Sequence, residues 1–209
     1  MASGRRTTAS IWDSRYGEVE TAFGTEPNAF LASQRARFTP GMRALVPGDG
    51  EGRNGVWLAT LGLDVVSVEA SSVGCGKARR LAAARGTSVD VQCADLNDWP
   101  WPKAAFDIVA VIYVHFSPAE RPLMHRRMYE ALKPGGIVLI ESYRPKHLER
   151  RKAGSVGGPP PEMLVTADDL RADFAGADVV LVEEVETVLS EGVRHVGASD
   201  VVRFVARRP

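Results

Sequence analysis

Four short stretches carry side chains whose types and order could do chemistry. "LVPGDGEGRNGVWLA" (45–59) has glycines at 48, 50 and 52 and two acids, Asp49 and Glu51, inside one turn. Glycines there let backbone come close to a ligand, and the N-terminus of the helix that follows favours an anionic group such as a carboxylate. The spacing is G-x-G-x-G, whereas a dinucleotide fingerprint is G-x-G-x-x-G. A turn gripping a pyrophosphate rarely carries carboxylates, so this one suits a ligand bearing positive charge. Glu69 closes the next apolar run, about 20 residues on, where an acid can take both hydroxyls of a ribose. "CADLNDW" (93–99) follows, with Asp95 placed to accept from an exocyclic amine and Leu96 to meet an adenine ring. "IYVHF" (112–116) comes last, with Tyr113 and His115 beside the reacting group. Each stretch alone also has a bland reading: a tight turn, a solvated strand end, or a turn cap. Their succession at the ends of consecutive strands favours a ligand site.

The positioning elements are legible as well. Strands are predicted at Ala44–Pro47, Val65–Glu69, Ser88–Cys93, Ile108–Ile112 and Ile137–Glu141, and helices at Arg53–Thr60, Ser72–Arg85 and Pro118–Leu132. "DIVAVIYV" is apolar without alternation, as in a parallel strand covered on both faces. "LKPGG" ends a helix and turns into a strand. Strand–helix–strand repetition predicts right-handed crossovers in a doubly wound α/β sheet, whose ligands sit at the carboxyl ends of the strands. Val179–Leu189 and Asp200–Ala206 read as strands joined through "SEGVRHVGAS" without a helix, so the last should run antiparallel to the rest. Residues 11–40 read as a cap or lid, and the Pro/Gly/basic stretch 143–162 as a long functional or mobile loop.

Composition narrows the function classes. The 209 residues suffice for one domain with a substantial core. Lys+Arg and Asp+Glu are 26 each, which points to neither nucleic acid nor a membrane surface. No apolar run approaches the roughly 20 residues of a bilayer span. Met1–Ser10 lacks the apolar stretch of a secretory signal and reads as a frayed end. Cys75 and Cys93 form no C-x-x-C and have no histidine cluster nearby; they read as reduced thiols of a cytoplasmic protein, with no metal site.

These stretches, with "IWDSRYG…FGTEPNAFL", "DVVSVEASSVGCGKARRLA", "FDIVAVIYVHF", "ALKPGGIVLIESY", "GGPPPEML" and "EGVRHVG", make the chain resemble class I S-adenosylmethionine-dependent methyltransferases over nearly its whole length. It looks most like the small bacterial tellurite-resistance and thiopurine-type group. The resemblance implies a Rossmann-like, seven-stranded, mostly parallel sheet with a C-terminal antiparallel hairpin strand. It implies one domain, with a cap (1–40), a cofactor core (41–142) and a substrate side with the hairpin (143–209). Gly48, Asp49, Gly50, Gly52 and Asn54 would form the cofactor loop. Glu69 and Ala70 would hold the ribose, Asp95 and Leu96 the adenine, and Ile112 to His115 the methionyl and sulfonium region. Tyr113 and His115 are the catalytic candidates. Trp12, Tyr16, Tyr143, Arg194 and His195 are candidates for the substrate side, although a plain core role for the aromatics and a solvated turn for Arg194 and His195 stay open. Val46 stands where many members have an acid; Asp49 or Glu51 could take its part. The implied partner is a small methyl acceptor, a thiol or a selenium or tellurium oxyanion. A non-catalytic S-adenosylmethionine binder and a nicotinamide-dependent oxidoreductase are the alternatives. Oligomeric state is left open.

Overall fold

Apolar runs of four to seven residues become the buried centre of one sheet, and the ligand-type residues collect along one of its edges. In the computed structural model, which describes residues 7–209, the strands are β1 (Arg43–Pro47), β2 (Asp64–Glu69), β3 (Asp90–Cys93), β4 (Phe106–Ile112), β5 (Leu132–Tyr143), β6 (Asp178–Glu191) and β7 (His195–Arg207). Their order is β3-β2-β1-β4-β5-β7-β6. The first five are parallel; β7 pairs antiparallel with both β5 and β6. This is the doubly wound sheet with a reversed final strand that the sequence predicts.

Helices cover both faces. They are α1 (Thr8–Gly17), α2 (Ala29–Ser33), α3 (Arg53–Thr60), α4 (Ser72–Ala84), α5 (Arg121–Ala131), α6 (His147–Lys152) and α7 (Ala167–Asp173). Successive strand residues point to opposite faces. Val46, Val65 and Ala110 therefore pack with Leu58 of α3 and Phe30 and Leu31 of α2, while Leu45, Val66 and Val109 pack with Met124 and Met128 of α5 and Phe174. Val46, at the position where an acid was looked for, is core. Among the described residues no helix is long and apolar enough to cross a membrane.

The sequence reading needs four corrections. Residues 143–162 are not a structureless loop: α6 forms inside them, and Val156 bridges to Val196. The connection 190–199 is mostly strand; β6 and β7 continue until Glu191 faces His195, leaving a turn of Gly192 to Arg194. Of the segment read as a frayed end, residues 1–6 lie outside the described residues, and Thr8 to Ser10 start α1, where Thr7 caps the Ser10 amide. The cysteines are not separate thiols. Glu69 pairs with Cys93 in the parallel register, the first turn of α4 sets Cys75 above that point, and the two form a disulfide with Cα atoms 6.1 Å apart. The reading of the two as reduced thiols therefore does not hold.

Candidate functional site

The glycine turn joins β1 to α3. Gly52, the N-cap of α3, has φ +88°, and a Cβ there would lie 2.7 Å from the Ala78 Cα of α4, so only glycine lets the turn sit on that helix. Gly50 has φ +60°, with the Tyr16 hydroxyl directly above it. The acids of the turn face the protein. Asp49 accepts from the Ser67 hydroxyl (2.9 Å) and the Gly55 amide (3.2 Å), and burial pushes its carboxyl up to about 7. Glu51 accepts from the Ala22 amide (2.7 Å) and pairs with Lys77 (2.8 Å), which also donates to the Tyr16 and Val19 carbonyls. These carboxylates brace the turn and latch the cap, which leaves backbone to meet a ligand. Asn54 likewise turns to the cap and accepts from the Asn28 amide (2.9 Å).

Glu69 sits at the tip of β2, 5% exposed, and accepts from the Gly50 amide (2.9 Å) and the Ser71 amide (2.8 Å). Burial raises its pKa, and the two amides pull the other way. A carboxylate has about four acceptor sites, so two remain for a diol. Ala70 follows, half-buried. At the end of β3, one Asp95 oxygen accepts from the Asn97 amide (2.9 Å) and side chain (3.0 Å), which makes it a turn cap as well as an adenine candidate. Leu96 is half-buried, with its carbonyl taking the Trp101 indole N–H (2.8 Å). Glu69 and Asp95 thus stand at the tips of neighbouring strands beside the glycine turn, a set that fits the ribose and adenine of S-adenosylmethionine.

The other half of the edge is a nest of rings. Ile112 is buried at the end of β4, and Tyr113 after it holds φ +55°, unusual for a bulky side chain. Its hydroxyl donates to Glu141 at 2.6 Å. Tyr143 lies 4.7 Å from Tyr113, 4.2 Å from His147, 5.6 Å from His195 and 6.0 Å from His115, between ring centroids. Tyr143 is fully buried, and its hydroxyl finds no partner among the described residues. His115 is half-buried by surface yet ringed by protein atoms; desolvation, then the nearby His195, push its pKa down to about 3. Three of the chain's four histidines surround one tyrosine.

The two ends of the chain close this nest. Trp12 stacks on Tyr16 (5.3 Å), Tyr16 meets Phe23 edge-on (6.4 Å), and Phe23 packs against His195 (4.5 Å). The hairpin turn reaches the cap through the Val193 and Arg194 amides, which donate to the Ala22 carbonyl. His195 is buried, so the solvated reading does not hold for it, whereas Arg194 pairs with Glu18 (2.6 Å) at the surface. Arg144, the residue after Tyr143, is engaged with Glu184 (2.8 Å) and Asp200 (2.7 Å).

Sequence reasoning missed the polar residues that join these parts. Asn28 caps α2 with its side-chain oxygen and donates its amide to Glu141 (3.2 Å) and Glu191 (2.9 Å). Glu191 also takes Arg53 of α3 (2.7 Å) and His195 (3.2 Å). Burial opposes the Glu191 charge, but His195 and Arg53 outweigh it and hold its pKa at about 2. Glu191 and His195 flank a three-residue turn, the one local signal that could have paired them. His147, read within a basic loop, is fully buried.

Residues 44–136 match the family model for a methyltransferase domain. The chain is 31% identical over 105 residues to phosphoethanolamine N-methyltransferase 3 of Arabidopsis thaliana, covering 50% of this chain and 21% of that protein. It is 28% identical over 130 residues to probable thiol methyltransferase 2 of the same plant, covering 61% and 54%. The chain thus spans a fifth to about half of these relatives. Among solved structures, one from a study of the conversion of a disulfide bond into a thioacetal group during echinomycin biosynthesis superposes with TM-score 0.77 (23% identity, 97% of this chain, 92% of that one). TehB from Haemophilus influenzae gives 0.72 (17%, 94%, 66%). Magnesium protoporphyrin IX methyltransferase from Synechocystis with bound SAH gives 0.67 (16%, 100%, 90%). Residues 44–136 are thus similar to methyltransferase domains, and the chain as a whole has the fold that these solved structures share.

Proposed function

We propose that the protein transfers a methyl group from S-adenosylmethionine to a small acceptor with a soft nucleophile, a thiol or a selenium or tellurium oxyanion. The observation that carries this is the order of the strand ends: the glycine turn after β1, Glu69 after β2, Asp95 after β3, and the ring nest of Tyr113, His115 and Tyr143 after β4 and β5. The likeness to a thiol methyltransferase supports the soft acceptor.

When bound, S-adenosylmethionine supplies a methyl group on a sulfonium, already a good leaving group. The chain's task is alignment, and well-oriented reactants gain up to roughly 7–11 kcal/mol. Glu69 takes the ribose hydroxyls, Asp95 the adenine amine, and the Gly48–Gly52 backbone the amino-acid end, braced from behind by Asp49. The described part of segment 1–40, residues 7–40, acts as the cap, with Trp12, Tyr16 and Phe23 excluding water, and 143–209 as the acceptor side, walled by Tyr143 and His195. Tyr113, tied to Glu141, forms a fixed wall beside the methyl group. His115, held uncharged, keeps that wall free of a cation that would repel the sulfonium.

The test is calorimetric titration with S-adenosylhomocysteine, with NAD in a parallel cell. Micromolar binding of the first and none of the second is expected. NAD binding alone would replace this reading with an oxidoreductase.

A further inference from the structure

The acceptor site contains a directed imidazole, and a residue outside it does the directing. The Glu191 side chain is nine-tenths buried and fully engaged: Oε1 accepts from Asn28, and Oε2 from Arg53 and from His195 Nδ1. An ionised carboxylate only accepts, so Nδ1 carries the hydrogen and His195 Nε2 is left with a bare lone pair. Nε2 has no hydrogen-bond partner among the described residues, and its ring lies 4.5 Å from Tyr113 and 4.5 Å from Phe23, where the cap meets the end of β4.

The other histidines are wrong for the same task. His147 Nδ1 accepts from the Asp200 amide (3.4 Å), so its Nε2 carries the hydrogen and offers no lone pair. His115 is oriented by no carboxylate; its Nδ1 has only the Ser142 hydroxyl at 3.4 Å. His125 pairs with Asp173 on the α5–α7 side of the sheet. The charged and titratable groups facing His195 are Glu191, Arg53, Glu141, His115, His147, Tyr113 and Tyr143. Of these only Glu191 is bonded to its ring.

Resting on the methyltransferase reading, we infer that His195 Nε2 takes the proton of a protonated acceptor, a neutral thiol rather than a preformed oxyanion, and that Glu191 is the positioning residue that fixes its tautomer. The acceptor sulfur donates a lone pair to the methyl carbon as the carbon–sulfonium bond breaks. That bond pair stays on the departing sulfur, giving neutral S-adenosylhomocysteine. The thiol proton moves to Nε2, the imidazolium is stabilised by Glu191, and the proton then leaves to water. Because Glu191 also holds Arg53 in the first turn of α3, the base and the cofactor turn are set by one carboxylate.

Two measurements test this. Long-range ¹H–¹⁵N spectra of histidine-labelled protein with S-adenosylhomocysteine should show His195 protonated at Nδ1 in wild type and the Nε2–H form in Glu191→Ala. Methyl transfer should be followed with 2-mercaptoethanol, protonated at neutral pH, and thiophenol, largely ionised. His195→Asn should slow the first about a hundredfold and Glu191→Gln about tenfold or more. With His195→Asn the loss with thiophenol should be about tenfold smaller than the loss with 2-mercaptoethanol, because an ionised thiol needs no base. An Nε2–H tautomer in wild type, equal losses with both thiols, or turnover of neither thiol by a protein that binds S-adenosylhomocysteine would each overturn the inference. Failure of wild type to bind S-adenosylhomocysteine would instead remove the methyltransferase reading beneath it.

Discussion

Asp49→Asn should stabilise the protein, and increasingly so as pH rises. The Asp49 carboxyl is buried under the glycine turn with the Ser67 hydroxyl and the Gly55 amide as its hydrogen-bond partners; burial first, with Glu69 adding and Arg53 opposing, raises its pKa to about 7 from the ordinary 3.8. A carboxyl with a raised folded pKa binds more protons folded than unfolded between those two values. Stability therefore falls across pH 3.8 to 7, and the loss is complete above 7. Each unit is worth about 1.36 kcal/mol, so about three units give roughly 4 kcal/mol of penalty from ionised Asp49. Asparagine keeps an oxygen for the Gly55 amide and offers an N–H to Ser67, and it never ionises. His115, with a lowered pKa, has the opposite slope: it adds stability as pH rises from about 3 towards 6.5. The observable is therefore the difference between variant and wild type, in which His115 cancels. Urea unfolding from pH 4 to 8.5 should give a difference that grows with pH and levels off above about 7, by about 3–5 kcal/mol in all. A difference independent of pH, or one that shrinks as pH rises, would refute the assignment of Asp49 as a buried brace whose carboxyl is raised to about 7.

Glu69→Ala and Asp95→Ala should each weaken S-adenosylhomocysteine, by about threefold to a hundredfold if each lost hydrogen bond is worth about 0.5–3 kcal/mol; titration calorimetry reads this, and wild-type affinity in both variants would contradict the site map. Lys77→Met removes the cation that holds the Tyr16 and Val19 carbonyls and Glu51, so the segment 17–24 should become the first site of limited proteolysis, whereas an unchanged digestion pattern would mean that the hairpin alone retains the cap. Reduction of Cys75–Cys93, with its sequence separation of 18, should cost about 3 kcal/mol and lower Tm by roughly 6–12 °C; equal melting with and without a dithiol would argue against the bond.

The parts of the fold that were readable are the parts whose causes are local. Arg53–Thr60 is the predicted helix to the residue, because glycine at 52 fixes its start and its apolar side must meet the sheet. The place of Glu69 at the strand tip was legible because the apolar run of β2 ends there and no packing is needed to say so. Asp49 carried no such label. A carboxylate next to glycines reads as ligand-facing until the Ser67 hydroxyl, on the neighbouring strand, is known to lie 2.9 Å away. Cys75 and Cys93 failed in the same way: their pairing depends on the β2–β3 register, which aligns Glu69 with Cys93. Glu191 and His147 look like solvated turn and basic helix in one dimension, and only the placement of β7 beside β5 buries them.

That contrast divides the site by its physics. The proposed cofactor half is built from residues 48–96, and its bracing contacts Asp49–Ser67, Glu69–Gly50 and Asp95–Asn97 each lie within one strand–helix–strand unit. The acceptor half needs Phe23, Asn28, Glu141, Glu191 and His195 together, and these meet only after β7 has inserted between β5 and β6 and the hairpin turn has reached the Ala22 carbonyl. Arg53 stands in both halves, bonded to Glu191 from the first turn of α3. A change of acceptor can therefore be written into the chain's two ends without disturbing Glu69 or the glycine turn. A change at Glu191 cannot, because it releases the base, the cap asparagine and the cofactor helix at once.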